Sequence, residues 1–198
     1  MNMPKLKPAA LEARRTQILQ AALTCFVQAG YHKTSVDDIA SHAGLSKGSI
    51  YTHFESKQAL FLALLNRMIH VTGLPSILGA EDTTDQEKFV AALEGVISYV
   101  QTSDFQDYAA LLMVAWREAQ SDSEVRQTVA GLYTRMRSGF SQIIQQSIDS
   151  EQIEPIDAQS FASILIAIFD GLMVQALLDE QAIDWQAVSQ TIRGIGIY

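Results

Sequence analysis

The chain has 198 residues, of which 48% are hydrophobic, and it carries a formal net charge of −8 at neutral pH. This hydrophobic content is sufficient for one domain or two small ones and excludes a disordered chain. The single cysteine, Cys25, excludes a disulfide framework and a cysteine metal site and is typical of a protein of the reducing cytoplasm. The N-terminus lacks the apolar segment of a secretory signal, so we expect none.

The charge is distributed unevenly along the chain. Residues 1–57 carry a net charge of +3 and residues 58–198 carry −11, so the acidic total conceals a basic N-terminal part. Charges are screened beyond roughly 8 to 10 Å at physiological salt, so a distant acidic domain does not prevent the basic part from binding nucleic acid. We predict two domains with these boundaries, 1–57 and 58–198.

The N-terminal domain begins with a long helix. The sequence predicts this helix from about Pro8 to Ala29, because proline is tolerated in a first turn and Gly30 stands where a C-cap is expected. Ile18, Ala22 and Phe26 recur at helical spacing and predict its buried side. The basic residues before them are either a solvated end or a flexible arm that contacts DNA.

Residues 36–55 predict a helix–turn–helix. Ser35 can cap the first short helix, Gly44 can end it in the left-handed conformation, and Ser46 can cap the second helix. Ile50 lies on the apolar side of the second helix, whereas the opposite side is small and polar. A narrow hydrogen-bonding face of this kind suits insertion into the major groove of DNA.

Two lysines stand where the helix macrodipole disfavours a cation. Lys47 and Lys57 each follow a serine that can cap a helix. This placement costs about 0.3 kcal/mol or more, so it indicates an anionic partner, for which DNA phosphate is the obvious candidate, unless two surface lysines occur there by chance. Tyr51, His53 and Thr34 carry further groups that can bind phosphate.

The sequence of the C-terminal domain predicts helices only. The helix that starts near Lys57 continues to about Val71, and a composition break rich in glycine and proline follows between Thr72 and Thr83. Nothing has the alternation of a strand, so the predicted fold class is all-α with about nine helices. Further helices are predicted over 85–101, 103–120, 122–150 and 158–178 and after Asp184, the first three with capping boxes at Thr84, Ser103 and Ser121.

The segment 158–178 is apolar on nearly every side of its predicted helix. It is long enough to span a membrane, but Asp170 and Gln175 interrupt it and acids flank it, so we expect no membrane segment. A soluble helix of this kind has to be buried all round, and a bundle of about five helices does not cover it alone. We therefore expect a second subunit.

No sequence pattern typical of an enzyme is present. The four histidines form no HExxH pattern, and the Walker A, G-x-S-x-G and dinucleotide-binding fingerprints are absent. A helical-bundle enzyme would need clustered buried acids or histidines with a metal. We therefore expect no catalytic residue, no metal and no cofactor.

Aromatic residues and methionines recur at helical spacing in the C-terminal domain. They form either a packed core or the wall of a pocket between helices. Asp170 interrupts an apolar run where an unpaired carboxylate is costly, so it is either a polar anchor for a ligand or an acid bonded across a subunit interface; Glu118 is another possible anchor. The candidate ligand-binding residues are Tyr99, Phe105, Tyr108, Met113, Trp116, Tyr133, Met136, Phe140, Asp170 and Met173.

The stretch from Arg15 to Phe61 resembles the DNA-binding domain of TetR/AcrR-type transcriptional regulators. The runs Thr34-Ser35-Val36, Ala43-Gly44-Leu45-Ser46 and His53-Phe54 followed by Ser56-Lys57 carry the resemblance. It implies that Lys47, Gly48, Ser49 and Tyr51 face bases or the adjacent backbone, that Thr34, His53 and Lys57 hold phosphate, and that Ser35 belongs to the DNA-binding residues.

Over the remaining chain the resemblance is one of architecture. It implies a homodimer formed through the last two helices, with an effector site among the helices before them, in a cytoplasmic repressor. A small, largely apolar effector would release the repressor from its double-stranded, pseudo-palindromic operator. The alternative function is a helix–turn–helix protein whose helical domain binds a protein partner, which a bundle without a cavity of roughly some hundreds of Å³ would favour.

Overall fold

The structure, a computed structural model, describes residues 8–68, 102–151, 154–179 and 181–194. Within these ranges the chain forms eight helices and no strand, which confirms the predicted all-α fold. The predicted helix over 85–101, its cap Thr84 and the candidate Tyr99 lie outside the described residues. The helices are α1 (Pro8–Ala29), α2 (Val36–Ala43), α3 (Lys47–His53), α4 (Lys57–Met68), α5 (Ser103–Glu118), α6 (Ser123–Asp149), α7 (Ala158–Leu178) and α8 (Trp185–Gly194).

Helices α1 to α3, residues 8–54, form the head of the molecule. Ser35 and Asp38 make the predicted capping box at the start of α2: Ser35 Oγ accepts from the Asp38 amide at 3.1 Å, and Asp38 Oδ2 accepts from the Ser35 amide at 2.8 Å. Gly44 ends α2 with φ +65°, and Gly30 follows α1 with φ +79°. Both glycines therefore adopt the left-handed conformation that the sequence predicted.

One continuous core joins the head to the C-terminal helices. Phe26 of α1, Ile39 of α2 and Ile50 of α3 are at most 1% exposed, and the Phe26 ring meets the edge of Phe61 on α4 at 5.2 Å. The same cluster continues into α5 and α6, for example through Leu112. Helix α4 thus connects the head to the body, the name used below for helices α5 to α8, residues 103–194.

Two predicted caps of the body are displaced by one residue. Thr102, not Ser103, is the N-cap of α5, and Asp122, not Ser121, is the N-cap of α6. The Asp122 carboxylate accepts from two amides of the first turn at 2.9 and 3.0 Å. A charged acceptor interacts better with the helix N-terminus than a hydroxyl does, which accounts for the shift at α6. Asp184 caps α8 as predicted.

Helix α7 packs on α6 through one side only. The two helices are antiparallel, and Ala162, Ile166 and Met173 of α7 are buried. Ile164 and Ile168, on the other side, are each 54% exposed, so burial on every side is not achieved within one protomer. Among the described helices α7 alone has the length and hydrophobicity to cross a membrane, a test that core helices of soluble proteins also pass.

Candidate DNA-binding surface and effector site

Helix α3 has a small polar surface on one side and a buried apolar residue on the other. Ser46 caps the helix, its Oγ accepting from the Ser49 amide at 3.2 Å, and Ile50 is 1% exposed against the core of the head. Because Ile50 fixes the inner side, the opposite side faces solvent with a defined orientation. We call this side the recognition face; it consists of Lys47, Gly48, Ser49 and Tyr51, with the Tyr51 side chain 47% exposed.

Lys47 is held over the surface of the head by an ion pair. Its Nζ lies 2.7 Å from Asp37 Oδ2 on α2, and both side chains are more than half exposed. This hydrogen bond raises the pKa of Lys47, so the ammonium stays charged at neutral pH. An exposed ion pair of this kind contributes roughly 0 to 1 kcal/mol, so a phosphate can displace Asp37.

Lys57 has a different environment from Lys47. Its Nζ donates to the carbonyl oxygens of Tyr31 at 2.8 Å and Thr34 at 2.9 Å and lies 4.4 Å from the centre of the Tyr31 ring. Desolvation lowers the pKa of Lys57, while the nearby Glu118 carboxylate raises it. The lysine therefore fixes the α1–α2 loop to α4, and one of its three N–H groups remains for an anion.

The Thr34 side chain does not face a DNA-binding surface. It is 2% exposed, and its hydroxyl is 2.8 Å from the Gly30 carbonyl and 3.0 Å from that of Cys25. The prediction that this hydroxyl holds phosphate is therefore corrected to a structural role in the loop. Ser35 and His53 remain at the surface of the head, where Ser35 is exposed and His53 is partly exposed.

Two side chains of α1 orient the helix–turn–helix, and the sequence analysis did not assign them this role. Gln17 donates to the Ala43 carbonyl at 2.8 Å and so joins α1 to the last residue of α2. Arg15 donates to the His53 carbonyl at 3.4 Å and stacks 4.3 Å from the centre of the Phe54 ring. Arg15 was predicted either as solvated or as part of a DNA-contacting arm, and its spacing from Phe54 in sequence gave no sign of this contact.

A polar junction connects the head to the corner between α5 and α6. His32, in the α1–α2 loop, lies 2.9 Å from Glu118, whose side chain is 6% exposed. Gln58 of α4 donates to Asp122 at 3.2 Å and to Glu124 at 2.8 Å. Glu118 is therefore directed toward the head, and the prediction of a ligand anchor at this residue is wrong.

Inside the body, a chain of hydrogen bonds crosses from α5 through α6 to α7. Trp116 Nε1 donates to the hydroxyl oxygen of Tyr133 at 3.1 Å, and that hydroxyl donates to Asp170 Oδ2 at 2.8 Å. Burial and the Asp170 carboxylate raise the pKa of Tyr133 above its usual value, and burial raises the pKa of Asp170. Three of the predicted ligand-binding residues thus form one polar cluster.

The other candidate ligand-binding residues divide into three groups. Phe105, Tyr108 and Met173 are at most 5% exposed in the same core as the polar cluster, with Met136 packed against them. Met113 is 42% exposed, because it lies on the outer side of α5, and Phe140 belongs to a separate cluster between α6 and α7. The exposure of Met113 contradicts its prediction as a ligand contact inside the body. Phe140 stays a prediction, because its cluster also packs against Tyr133 and Met136.

Comparison with known protein families identifies the family of both the N-terminal and the C-terminal part of the chain. Residues 18–64 match the family model of bacterial regulatory proteins of the TetR family, and residues 85–194 match that of the C-terminal domain of BetI-type transcriptional repressors. The chain belongs to the TetR family. This result confirms the predicted resemblance and identifies α2 and α3 as the helix–turn–helix of a transcriptional regulator.

Relatives of known sequence or structure agree with this TetR-family assignment. The HTH-type transcriptional regulator YfiR of Bacillus subtilis is 27% identical over 96% of this chain and 93% of its own length. A transcriptional regulator of Saccharomonospora viridis in complex with choline matches with a TM-score of 0.76 at 22% identity, covering 92% of this chain and 95% of that one. FadR of Bacillus subtilis in complex with stearoyl-CoA matches with a TM-score of 0.68 at 25% identity, covering 89% and 94%.

The TetR-family chain contains no group of three metal-ligating side chains in its described part. Besides the contacts of Arg15 and Gln17, the sequence analysis missed the junction contacts of His32 and Gln58. An acid in the last turn of a helix, such as Glu118, opposes the macrodipole and was the one available signal that this position serves a specific contact.

Proposed function

We propose that this TetR-family regulator is a cytoplasmic, homodimeric repressor that binds a pseudo-palindromic operator and releases it when a small, largely apolar effector binds. The observation that carries the proposal is the recognition face of α3. It presents the exposed residues Lys47, Gly48 and Tyr51 and the partly exposed Ser49 on a helix that Ile50 fixes to the core. A short helix with exposed donors and a rigid base suits the major groove.

Phosphate contacts would position this face on the duplex. Lys47 would exchange its Asp37 partner for phosphate, and Lys57 would use its remaining N–H group beside the α1–α2 loop. Each contact with a phosphate releases bound counterions and adds to the salt dependence of binding. Ser35 and His53, at the surface beside them, would add neutral donors.

Dimerisation would cover the open side of α7. Ile164 and Ile168 are exposed there, and Gly171 on the same side has no neighbouring atom within 4 Å of the position a Cβ would take, so a second helix can approach closely. The sequence resemblance implies that α8 would contribute to the same interface. Two heads related by a two-fold axis would recognise two inverted half-sites, which is why we expect a pseudo-palindromic operator.

Effector binding would act on the head through α5. Trp116, in the polar cluster, and Glu118, in the junction with His32, are two residues apart on that helix. A ligand that displaces the last turn of α5 would therefore change the contacts that orient the head. Such a ligand releases DNA only to the extent that it binds the displaced state more tightly than the DNA-bound state.

The DNA-binding proposal is tested by selecting an operator from genomic fragments and titrating its affinity against salt. Lys57→Ala is expected to weaken binding to all sequences and to reduce the slope of log K against log salt by about one. Arg67→Ala, an exposed change in the last turn of the same helix, is the control and should leave the slope unchanged. An unaltered slope for Lys57→Ala would remove this lysine from the phosphate contacts.

The effector proposal is tested by thermal shift of the protein against a panel of metabolites and drugs, repeated with operator DNA. A compound that raises the melting temperature alone and lowers operator affinity supports ligand-driven release. If no compound binds and a partner protein co-purifies by binding to the body, the effector proposal fails. The alternative function, a helical domain that binds a protein partner, then replaces it.

A further inference from the structure

Asp170 is a half-buried carboxylate whose hydrogen-bonding partner in the described structure is neutral. Its Oδ2 accepts from the Tyr133 hydroxyl, and Oδ1 has no hydrogen-bond partner among the described residues. Burying a carboxylate without a cation is costly, because a neutral donor offsets only part of the lost hydration. The raised pKa of Asp170 agrees with that cost.

No cation of the described residues forms an ion pair with Asp170. Arg137, one turn along α6 from Tyr133, donates to Ser163 Oγ at 3.0 Å, and neither of the two ion pairs in the described part of the chain includes Asp170. The carboxylate therefore has no counter-charge among the described residues, although it lies among the helices where the effector would bind.

The hydrogen-bond chain has a direction that restricts what can bind at its end. Trp116 has one N–H, which it donates to Tyr133, and Tyr133 has one O–H, which it donates to Asp170. Both donors are used, so the group left to meet a ligand is the acceptor Oδ1 of Asp170. A ligand at this position has to supply a hydrogen-bond donor, and a positive charge on it would also compensate the carboxylate.

Aromatic residues lie close to Asp170 in the chain and in the hydrogen-bond network: Tyr133 donates to it, and Phe169 belongs to a cluster of rings. Phe169 precedes it in α7 and lies 6.2 Å from Phe105, centre to centre, and Phe105 lies 6.5 Å from Trp185 of α8. Such rings accept hydrocarbon groups and attract cations by their π faces. They offer nothing to compensate an anion, and Asp170 repels one.

We infer that the effector is a protonated amine with an apolar substituent, its ammonium donating to Asp170 and its hydrocarbon part lying among the aromatic side chains. This inference rests on the proposed function and names the class of its effector. Because Asp170 requires an N–H donor, a primary amine binds better than the corresponding trimethylammonium compound. Fatty acids and their carboxylates are rejected at this position.

The test compares four probes that share one hydrocarbon chain: octylamine, octyltrimethylammonium, octan-1-ol and octanoate, titrated calorimetrically into the full-length protein at pH 7. Octylamine is fully protonated there. The expected order of affinity is amine, trimethylammonium, alcohol, carboxylate, with the amine tighter than the alcohol by about tenfold or more. Equal affinity for amine and alcohol in the wild-type protein would overturn the inference without any variant.

Asp170→Asn provides the second arm. It keeps an acceptor for Tyr133 and is expected to weaken octylamine binding by about ten- to a hundredfold while changing octan-1-ol affinity less than about twofold. Asp179→Asn, which removes an exposed carboxylate at the end of the same helix, is the matched control and should not affect either probe. Equal losses in the two variants would contradict a contact with Asp170.

Operator binding measured in the same samples separates this inference from the proposed function. If octan-1-ol but not octylamine binds and releases DNA, the amine inference fails and the ligand-controlled repressor stands. If octylamine binds through Asp170 but does not release DNA, the ligand class stands and effector-driven release fails.

Discussion

The head and the body of the molecule differ in how completely one protomer pairs its own polar and charged groups and covers its apolar surface. In the head, the capping box and the glycine after α2 satisfy backbone groups at the two ends of that helix. Lys57 of α4 donates to two backbone carbonyls of the α1–α2 loop. In the body, Asp170 has no counter-charge among the residues that the structure describes, and Ile164 and Ile168 on the outer side of α7 are exposed. Both parts contain well-packed apolar residues, so packing is not the difference.

This contrast shows where the protein depends on other molecules. The head is structurally complete and presents a rigid surface, which suits a site whose ligand, DNA, has a fixed shape. In its described part, the body has a half-buried carboxylate without a counter-charge, Asp170, and an uncovered apolar surface on α7. The proposed cationic effector would relieve the first of these deficits, and the proposed second subunit would relieve the second.

The largest expected effect tests the uncovered surface of α7. Ile168→Glu would place two carboxylates in the interface of the dimer, so the dimer dissociation constant is expected to rise at least about a hundredfold, and operator affinity should fall with it. Sedimentation equilibrium measures the first quantity. Met113→Glu changes an exposed apolar residue of α5 in the same way and should leave the dimer intact; dissociation by both variants would mean that α7 is not the interface.

A smaller effect tests the completeness of the head. Ser35→Ala removes the cap that accepts from the Asp38 amide, and its expected cost is roughly 1 kcal/mol of unfolding free energy, measured by urea denaturation. Ser41→Ala, on an exposed position within α2, should cost little by comparison. Equal stability of both variants would show that the cap of α2 does not limit the stability of the molecule.

The smallest expected effect is on the stability of the protein and comes from the charge of Asp170 inside the body. Since burial raises the pKa of Asp170, the folded protein binds this proton more tightly than the unfolded chain. Stability is therefore lost as pH rises from the unfolded pKa, about 3.9, through the higher folded value. Asp170→Asn has no such dependence on pH. Its free energy of unfolding at pH 7 should therefore exceed that of the wild-type protein, by less than about 1 kcal/mol because solvent screens the charge. The difference should vanish near pH 3; a constant difference across pH would point to packing instead.

The sequence predicted local features better than contacts between distant segments. The ends of α1 and the caps of α2, α3 and α8 depend on residues next to each other, and Gly30, Ser35 and Gly44 are where they were expected. The role of Lys57 depends on two carbonyls that lie more than twenty residues earlier, so its position after a helix cap indicated an anion while the fold supplied backbone acceptors.

The candidate effector site shows the same limit. Helical spacing placed Trp116, Tyr133 and Asp170 on inward sides of three helices, and the structure joins them. Spacing could not separate them from Met113 and Phe140, because the side of a helix that faces solvent or a different cluster depends on how the bundle packs.

The ion pair between Lys47 and Asp37 has a consequence for how long the protein would stay on random DNA. If Lys47 binds phosphate as proposed, Asp37 would compete with that phosphate, because a duplex has to displace the carboxylate before Lys47 can bind the backbone. The displacement would remove the same small amount of binding free energy for every sequence, so the ratio of specific to non-specific affinity would not change. The absolute affinity for random DNA would fall, which would leave more of the protein free to search for its operator.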